Sequence, residues 1–270
     1  MKNIFSAKTI FVFFFFLLYI YPVYVFAWDI TADFEQGTLG TEAQGVSGLS
    51  NAFSQTLFSN EQVYTGGTKS AKVSFTQGTD AWATAGGSVM FPSTIGEGGE
   101  LWARGYFYFK SPWSWTCSPV VKIFRGAHVQ TSVGANVGYL SLFADTNGAI
   151  LLSNEVQAAQ PSTGVYFDVN KWQSIEMYVK FSTTSPVFRI WKNGTLIYQD
   201  ITSRTLNSVT DTADFSYIFT YWNGNVPQNQ VSYIDDFYYT TTTPSKVDAA
   251  GNFMIGPIIW PIPSAPSNLR

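Results

Sequence analysis

Two carboxylates stand side by side in YIDDFYY, Tyr233 to Tyr239, within a run that otherwise reads as a buried strand. Carboxylate pairs cut glycosidic bonds when both face one cleft, about 5 to 9.5 Å apart. Neighbouring strand residues point to opposite faces, so Asp235 and Asp236 are expected to diverge, one of them turning toward the packed side. A second set of chemical groups recurs at alternate positions. In ELWARGYFYFK, Trp102, Arg104, Tyr106 and Tyr108 share a face, and in KWQSIEMYVKF, Trp172, Glu176, Tyr178 and Lys180 do the same. Flat rings stack on the apolar faces of sugars, and Arg and Lys pair with uronate carboxylates or sulfates, which makes these residues a candidate carbohydrate-binding face. Alternation alone equally allows an outer face built of good strand formers. The one histidine, His128, lies in GAHVQ, which reads as a loop, and the one cysteine, Cys117 in WSWTCSP, has no flanking base. Such counts exclude a histidine-based metal centre and an intrachain disulfide.

The elements that must position these groups are strands. In the two segments above, the opposite faces carry Leu101, Ala103, Phe107 and Phe109, and Ile175, Met177, Val179 and Phe181. Further strand candidates are SAKVSF, VVKIF (Val120 to Phe124), YLSLFA and FSYIFTYW; in VFRIWKNGTLIYQ, Asn193-Gly194 supplies the two positive-φ residues of a type I′ hairpin turn. Only Ser47 to Phe58 suggests weak helical turns. With aromatics at 17% and charged residues at 12%, the composition favours an all-β, two-sheet antiparallel β-sandwich.

The first 27 residues read as a signal peptide: Lys2 and Lys8, then an apolar run from Ile10 to Phe26 ending in Val-Phe-Ala. A secreted protein is expected, with no membrane attachment after cleavage and one sandwich domain over 28–257. Residues 258–270 read as a Pro-rich tail. Without the leader's two lysines the chain keeps 13 basic and 18 acidic residues, a net −5, which argues against a nucleic-acid partner.

The order and spacing of DFEQGTLG, GGELWARGYFYFKSPW, VVKIFR, FDVNKWQSIEMYVKF, RIWKNGTLIYQ and YIDDFYY resemble the concanavalin A-like lectin/glucanase superfamily, jelly rolls that bind or cut polysaccharides. The resemblance implies several expectations. The E-x-D-x-x-E strand of the superfamily's retaining glucanases is missing, so that activity is set aside. Relatives that bind carbohydrate pair an early F-E-x-G segment with a late D-D strand, which implies a structural calcium held by Glu35 with Asp235 or Asp236; no organic cofactor is implied. The jelly-roll lyases that act on uronates abstract a proton beside the carboxylate with Tyr, His or Gln, and Arg. Their late tyrosine strand is similar to YIFTYWNGN, which offers Tyr221 or Tyr217 as acid, with His128 and Arg125 as partners; Lys122-Ile123-Phe124 stands where those enzymes carry Q-I-H. Recognition of a polysaccharide, possibly an acidic one, without cleavage is the first expectation. β-Elimination by Tyr221, His128 and Arg125 is the alternative, and a structural or adhesion module the third.

Overall fold

Alternation in the sequence becomes two packed faces. The computed structural model describes residues 27–258; the expected signal peptide, Ala27 apart, and the tail from residue 259 lie outside the described residues. In chain order the strands are β1 (Asp29–Ala32), β2 (Asn51–Ala52), β3 (Thr56–Ser59), β4 (Ser70–Phe75), β5 (Gly87–Ile95), β6 (Glu100–Phe109), β7 (Val121–Gln130), β8 (Asn136–Ala144) and β9 (Ala149–Asn154), then, after a 3₁₀ turn at Glu155–Gln157, β10 (Ser162–Tyr166), β11 (Gln173–Lys180), β12 (Val187–Lys192), β13 (Thr195–Asp200), β14 (Thr212–Trp222), β15 (Gln230–Thr240), β16 (Lys246–Val247) and β17 (Phe253–Met254). The front sheet runs β13-β12-β11-β6-β15-β4-β3 with β1 also on β15, and the back sheet runs β10-β9-β8-β7-β14-β5-β2. All their pairings are antiparallel. The two sheets make a jelly-roll β-sandwich.

Leu101, Ala103, Phe107 and Phe109 of β6 and Ile175, Met177 and Val179 of β11 enter one core with Ile123, Phe124, Ala127 and Val129 of β7 and Ile218 and Trp222 of β14. Phe107 meets Phe124 and Phe219 from the opposite sheet at 5.9 and 5.7 Å between ring centroids. Each such side chain contributes roughly 1.5–3 kcal/mol by leaving water. The hairpin turn is present as read: Asn193 and Gly194 have φ of 50° and 78° between β12 and β13. Ser47 to Phe58 holds turns and the strands β2 and β3, not helix, because its buried residues, Leu49, Ala52 and Phe58, pack into the sandwich.

YIDDFYY forms the middle of β15, and its adjacency does not send the two carboxylates to opposite faces. Asp235 pairs with Tyr106 and Tyr238 with Arg104, so Asp236 and Phe237 together face Gly105, a bulge in which Asp236 takes φ 47°. Phe237 drops into the core over Gly105, where any Cβ would strike its ring. The extra residue resets the alternation: Ile234, Phe237 and Tyr239 enter the core, and neither aspartate does. One edge of β15 is shared end to end by β4, over Gln230–Ile234, and β1, over Phe237–Thr240. The carboxylates stand at the gap between them. Backbone donors are exposed there, and Asp235 accepts two: Tyr64 N–H at 3.1 Å and Asp236 N–H at 2.9 Å.

Candidate functional site

Strand β7 carries three polar residues at an interval that strict alternation forbids. Lys122, Arg125 and His128 lie three apart, yet share the outer face of the back sheet. Register shifts between Lys122 and Phe124 and again between Phe124 and Ala127 insert an extra residue each time. Ile123 and Phe124 are both consumed by the core, as are Ala127 and the backbone of Gly126. At Gly126 a Cβ would lie 2.3 Å from Cε of Met177, so any larger residue would have to push that side chain aside. Strand β14 matches this face with its own irregularities: Tyr217 pairs with Arg125 and Tyr221 with Lys122, while Ile218 and Phe219, the latter at φ 52°, turn inward. On the other side β8 sets Tyr139 opposite His128.

These side chains build an open groove of about 360 Å³ lined by Asp80, Trp82, Lys122, Arg125, Tyr139 and Tyr221. Arg125 is 6% exposed, its guanidinium carbon 3.3 Å from the centre of the Tyr139 ring and 5.8 Å from that of Tyr217. Its Nε has no hydrogen-bond partner. Lys122 Nζ stands 5.3 Å over the Tyr221 ring. Glu155 bridges the two cations, 3.7 Å from Lys122 Nζ and 3.7 Å from Arg125 Nη2. Trp82, 47% exposed, overhangs the groove with its ring edge-on to Tyr217 and Tyr221 at 6.1 and 6.4 Å.

Burial and the neighbouring Arg125 charge hold the Lys122 ammonium below its usual range, with Glu155 acting the other way. Burial pushes the Tyr139 hydroxyl up to about 12 against the pull of Arg125. Burial also lowers Arg125, which keeps its charge at any working pH. The groove therefore offers a fixed cation, an amine held below its usual range and a hydroxyl beside it.

His128 belongs to a strand, not to the expected loop, because β7 runs on to Gln130. Nδ1 lies 2.7 Å from Asp214 Oδ1, Nε2 lies 3.0 Å from Asn136 Oδ1, and the ring stacks on Phe215 at 4.4 Å. With both nitrogens engaged and 7% exposure, it props the groove wall rather than presenting a free base. Of the expected catalytic group, Tyr221 and Arg125 come together and His128 is their neighbour. Lys122, Tyr139, Trp82, Asp80, Glu155 and Asp214 were not singled out by sequence as members of the site. The signal in LysIlePheArgGlyAlaHis was a period of three, which reads as noise until the bulges are known.

The expected sugar-binding face lies on the front sheet, away from Tyr221, and is covered. Residues 246–258 cross it as a strap. Trp102 Nε1 donates to Phe253 O at 3.1 Å, Arg104 Nη1 donates to Gly256 O at 2.8 Å, and Ile258 N–H donates to the Tyr106 hydroxyl at 2.6 Å. Glu176, opposite Arg104, accepts the N–H groups of Ile255 and Gly256 at 2.6 and 2.8 Å. Trp102, Tyr178 and Trp191 pack with Met254. Tyr108 and Trp172 are half-buried beside one another at 5.5 Å, and Lys180 sits half-buried at the end of β11. A face already holding its own chain does not stack sugar at Trp102, Arg104, Tyr106, Glu176 and Tyr178, and the aromatics are explained by that cover.

Two carboxylates of the expected calcium site, Glu35 and Asp235, accept the chain's own N–H donors. Glu35 accepts the N–H groups of Thr68 and Lys69 at 2.9 and 3.2 Å, and Asp235 serves the gap in β15. The first and last strands are neighbours, as the pairing of Glu35 with Asp235 or Asp236 requires, but among the described residues no trio of acidic, His or Cys side chains is gathered closely enough to hold a metal ion.

Burial makes three carboxyls favour their neutral form: Asp235 is pushed up to about 8 by burial and by Asp236, Glu176 to about 7 by burial, and Asp236 to about 6 by burial. The folded chain then binds more protons than the unfolded one, so this stability is complete below an unfolded value of about 4 and is lost as pH rises through 6, 7 and 8. Asp248, held near 2 by bonds from Asn252 and Trp191 that outweigh burial, works oppositely, adding stability above about 4 that is lost toward pH 2. Thermal melts are expected to peak at mildly acid pH, with a midpoint at least about 3 °C lower at pH 8.5 than at pH 5.5; a midpoint that rises over that interval contradicts the assignment.

Comparison with known proteins places this geometry in a fold. No family model and no curated protein matches the sequence. Solved structures do. The alginate lyase Aly36B, seen as a double variant with alginate trisaccharide, superposes with a TM-score of 0.58 at 14% identity over 79% of this chain and 98% of that one. An endo-β-1,4-glucuronan lyase from the fungus Trichoderma reesei gives 0.56 at 13% over 79% and 95%. The marine PL-14 alginate lyase from Aplysia kurodai gives 0.54 at 14% over 70% and 87%. The chain shares the jelly-roll β-sandwich of these lyases, a fold related to concanavalin A-like lectins and glucanases.

Proposed function

We propose that this protein is a secreted polysaccharide lyase that cleaves an acidic, uronate-containing polysaccharide by β-elimination in the groove of β7, β8 and β14. The observation that carries the reading is Arg125: a largely buried guanidinium, stacked on Tyr139, whose Nη groups make no hydrogen bond among the described residues, beside Lys122 in a solvent groove. A buried cation with unmet donors in a sugar-sized groove calls for a carboxylate. In this reading Arg125 takes the uronate carboxylate and stabilises the charge that spreads onto it when the C5 proton leaves. Lys122 in its neutral form accepts that proton, the C5 electron pair forms the C4–C5 double bond, the C4–O4 bond breaks, and Tyr221 delivers its hydroxyl proton to the departing O4. Trp82 supplies a sugar platform and His128, held by Asp214, keeps the wall in place. The leader-like residues 1–27 and the acidic-polysaccharide lyases with the same fold support the substrate class and export.

The test is incubation with polyglucuronate, polymannuronate and polyguluronate while following the ultraviolet absorbance of unsaturated ends. A rise on at least one uronan, none on a neutral glucan, is the expected result; silence on all three, with or without binding, overturns the lyase.

A further inference from the structure

The groove carries its own anions. Beside Lys122 and Arg125 stand Glu155, at the start of the 3₁₀ turn after β9, and Asp80, whose Oδ1 accepts the Trp82 N–H at 3.0 Å. Both Glu155 contacts, at 3.7 Å, are close enough to balance charge and too long for hydrogen bonds. The cations are therefore neutralised without the Lys122 Nζ and Arg125 Nη donors being used. With Lys122 charged, the groove holds two positive and two negative side chains, and with Lys122 neutral, as the elimination requires, one positive and two negative; in neither state has it surplus positive charge to offer a polyanion. A single carboxylate can still enter, because it gains the unused donors; each additional anionic group meets Glu155 or Asp80.

We propose that Glu155, seconded by Asp80, is the specificity-determining group of the groove, admitting polymers with one carboxylate per uronate residue and rejecting those that add sulfate. This rests on the lyase reading for the carboxylate's place at Arg125. Glu155 excludes by repulsion, as selective sites commonly do, and its carboxylate makes no hydrogen bond that a glutamine would forfeit.

The test compares dissociation constants for immobilised oligoglucuronate and for heparin, a highly sulfated uronate polymer, at about 0.15 M salt, where exposed charges more than ~8 Å away are screened. The wild-type chain is expected to favour oligoglucuronate by at least about tenfold, and Glu155→Gln to shrink that ratio about tenfold through tighter heparin binding, with Asp80→Asn moving it the same way by less. Should Glu155→Gln not fold, the Asp80→Asn ratio decides. An unchanged ratio in a folded variant, while the wild type still cleaves a uronan, overturns the specificity role alone. A wild-type chain that neither cleaves nor binds any uronan overturns the lyase reading and this role together.

Discussion

Arg125→Lys is expected to slow uronan cleavage by on the order of 10²–10³-fold while the protein stays folded. The charge survives the substitution, but the planar fork does not. A lysine ammonium reaches one carboxylate oxygen from a flexible stem, loses the flat stacking on Tyr139, and cannot present two Nη groups together. Negative charge accumulates on the carboxylate only as the C5 proton leaves, so kcat should fall far more than KM rises. Steady-state kinetics of both forms check this. A variant with wild-type kcat and raised KM would reduce Arg125 to a binding residue and move the charge stabilisation elsewhere.

Glu176→Leu should destabilise the fold by roughly 3–5 kcal/mol, because it leaves two buried backbone donors and a buried guanidinium without their acceptor and neighbour. The Ile255 and Gly256 N–H groups lose their acceptor, and Arg104 keeps its buried charge opposite an apolar side chain. Urea unfolding measures the loss, and limited proteolysis locates it: cutting within residues 246–258 should precede cutting of the sandwich. Glu176→Gln retains one acceptor and should cost less. Equal stability of Glu176→Leu and wild type would show that the strap is not fastened by this residue.

The strands were legible in the sequence wherever alternation was strict. SAKVSF is β4 as read, and the opposed faces of ELWARGYFYFK and KWQSIEMYVKF are the two faces of β6 and β11. What alternation hides is a bulge, since one extra residue reverses every later assignment. That is why alternation ends β7 at Phe124, puts His128 in a loop, and sends one of Asp235 and Asp236 to the core that neither enters. The lysine of Lys122-Ile123-Phe124, read as a departure from a lyase triplet, is the residue that Tyr221 faces across the strands. Alternation is equally silent on cover. Trp102, Arg104 and Tyr178 have the composition of a sugar platform, and only the path of residues 246–258 shows that the chain itself lies on them.

Amide hydrogen exchange with and without a uronate tetrasaccharide, on the slow Arg125→Lys protein at saturating sugar, decides which sheet meets the polysaccharide. Protection is expected in residues 80–84, in β7 around Lys122 and Arg125, and in β14 around Tyr217 and Tyr221, with β6, β11 and the strap unchanged. Protection confined to β6, β11 and residues 246–258 would contradict the account and return the binding site to the front sheet.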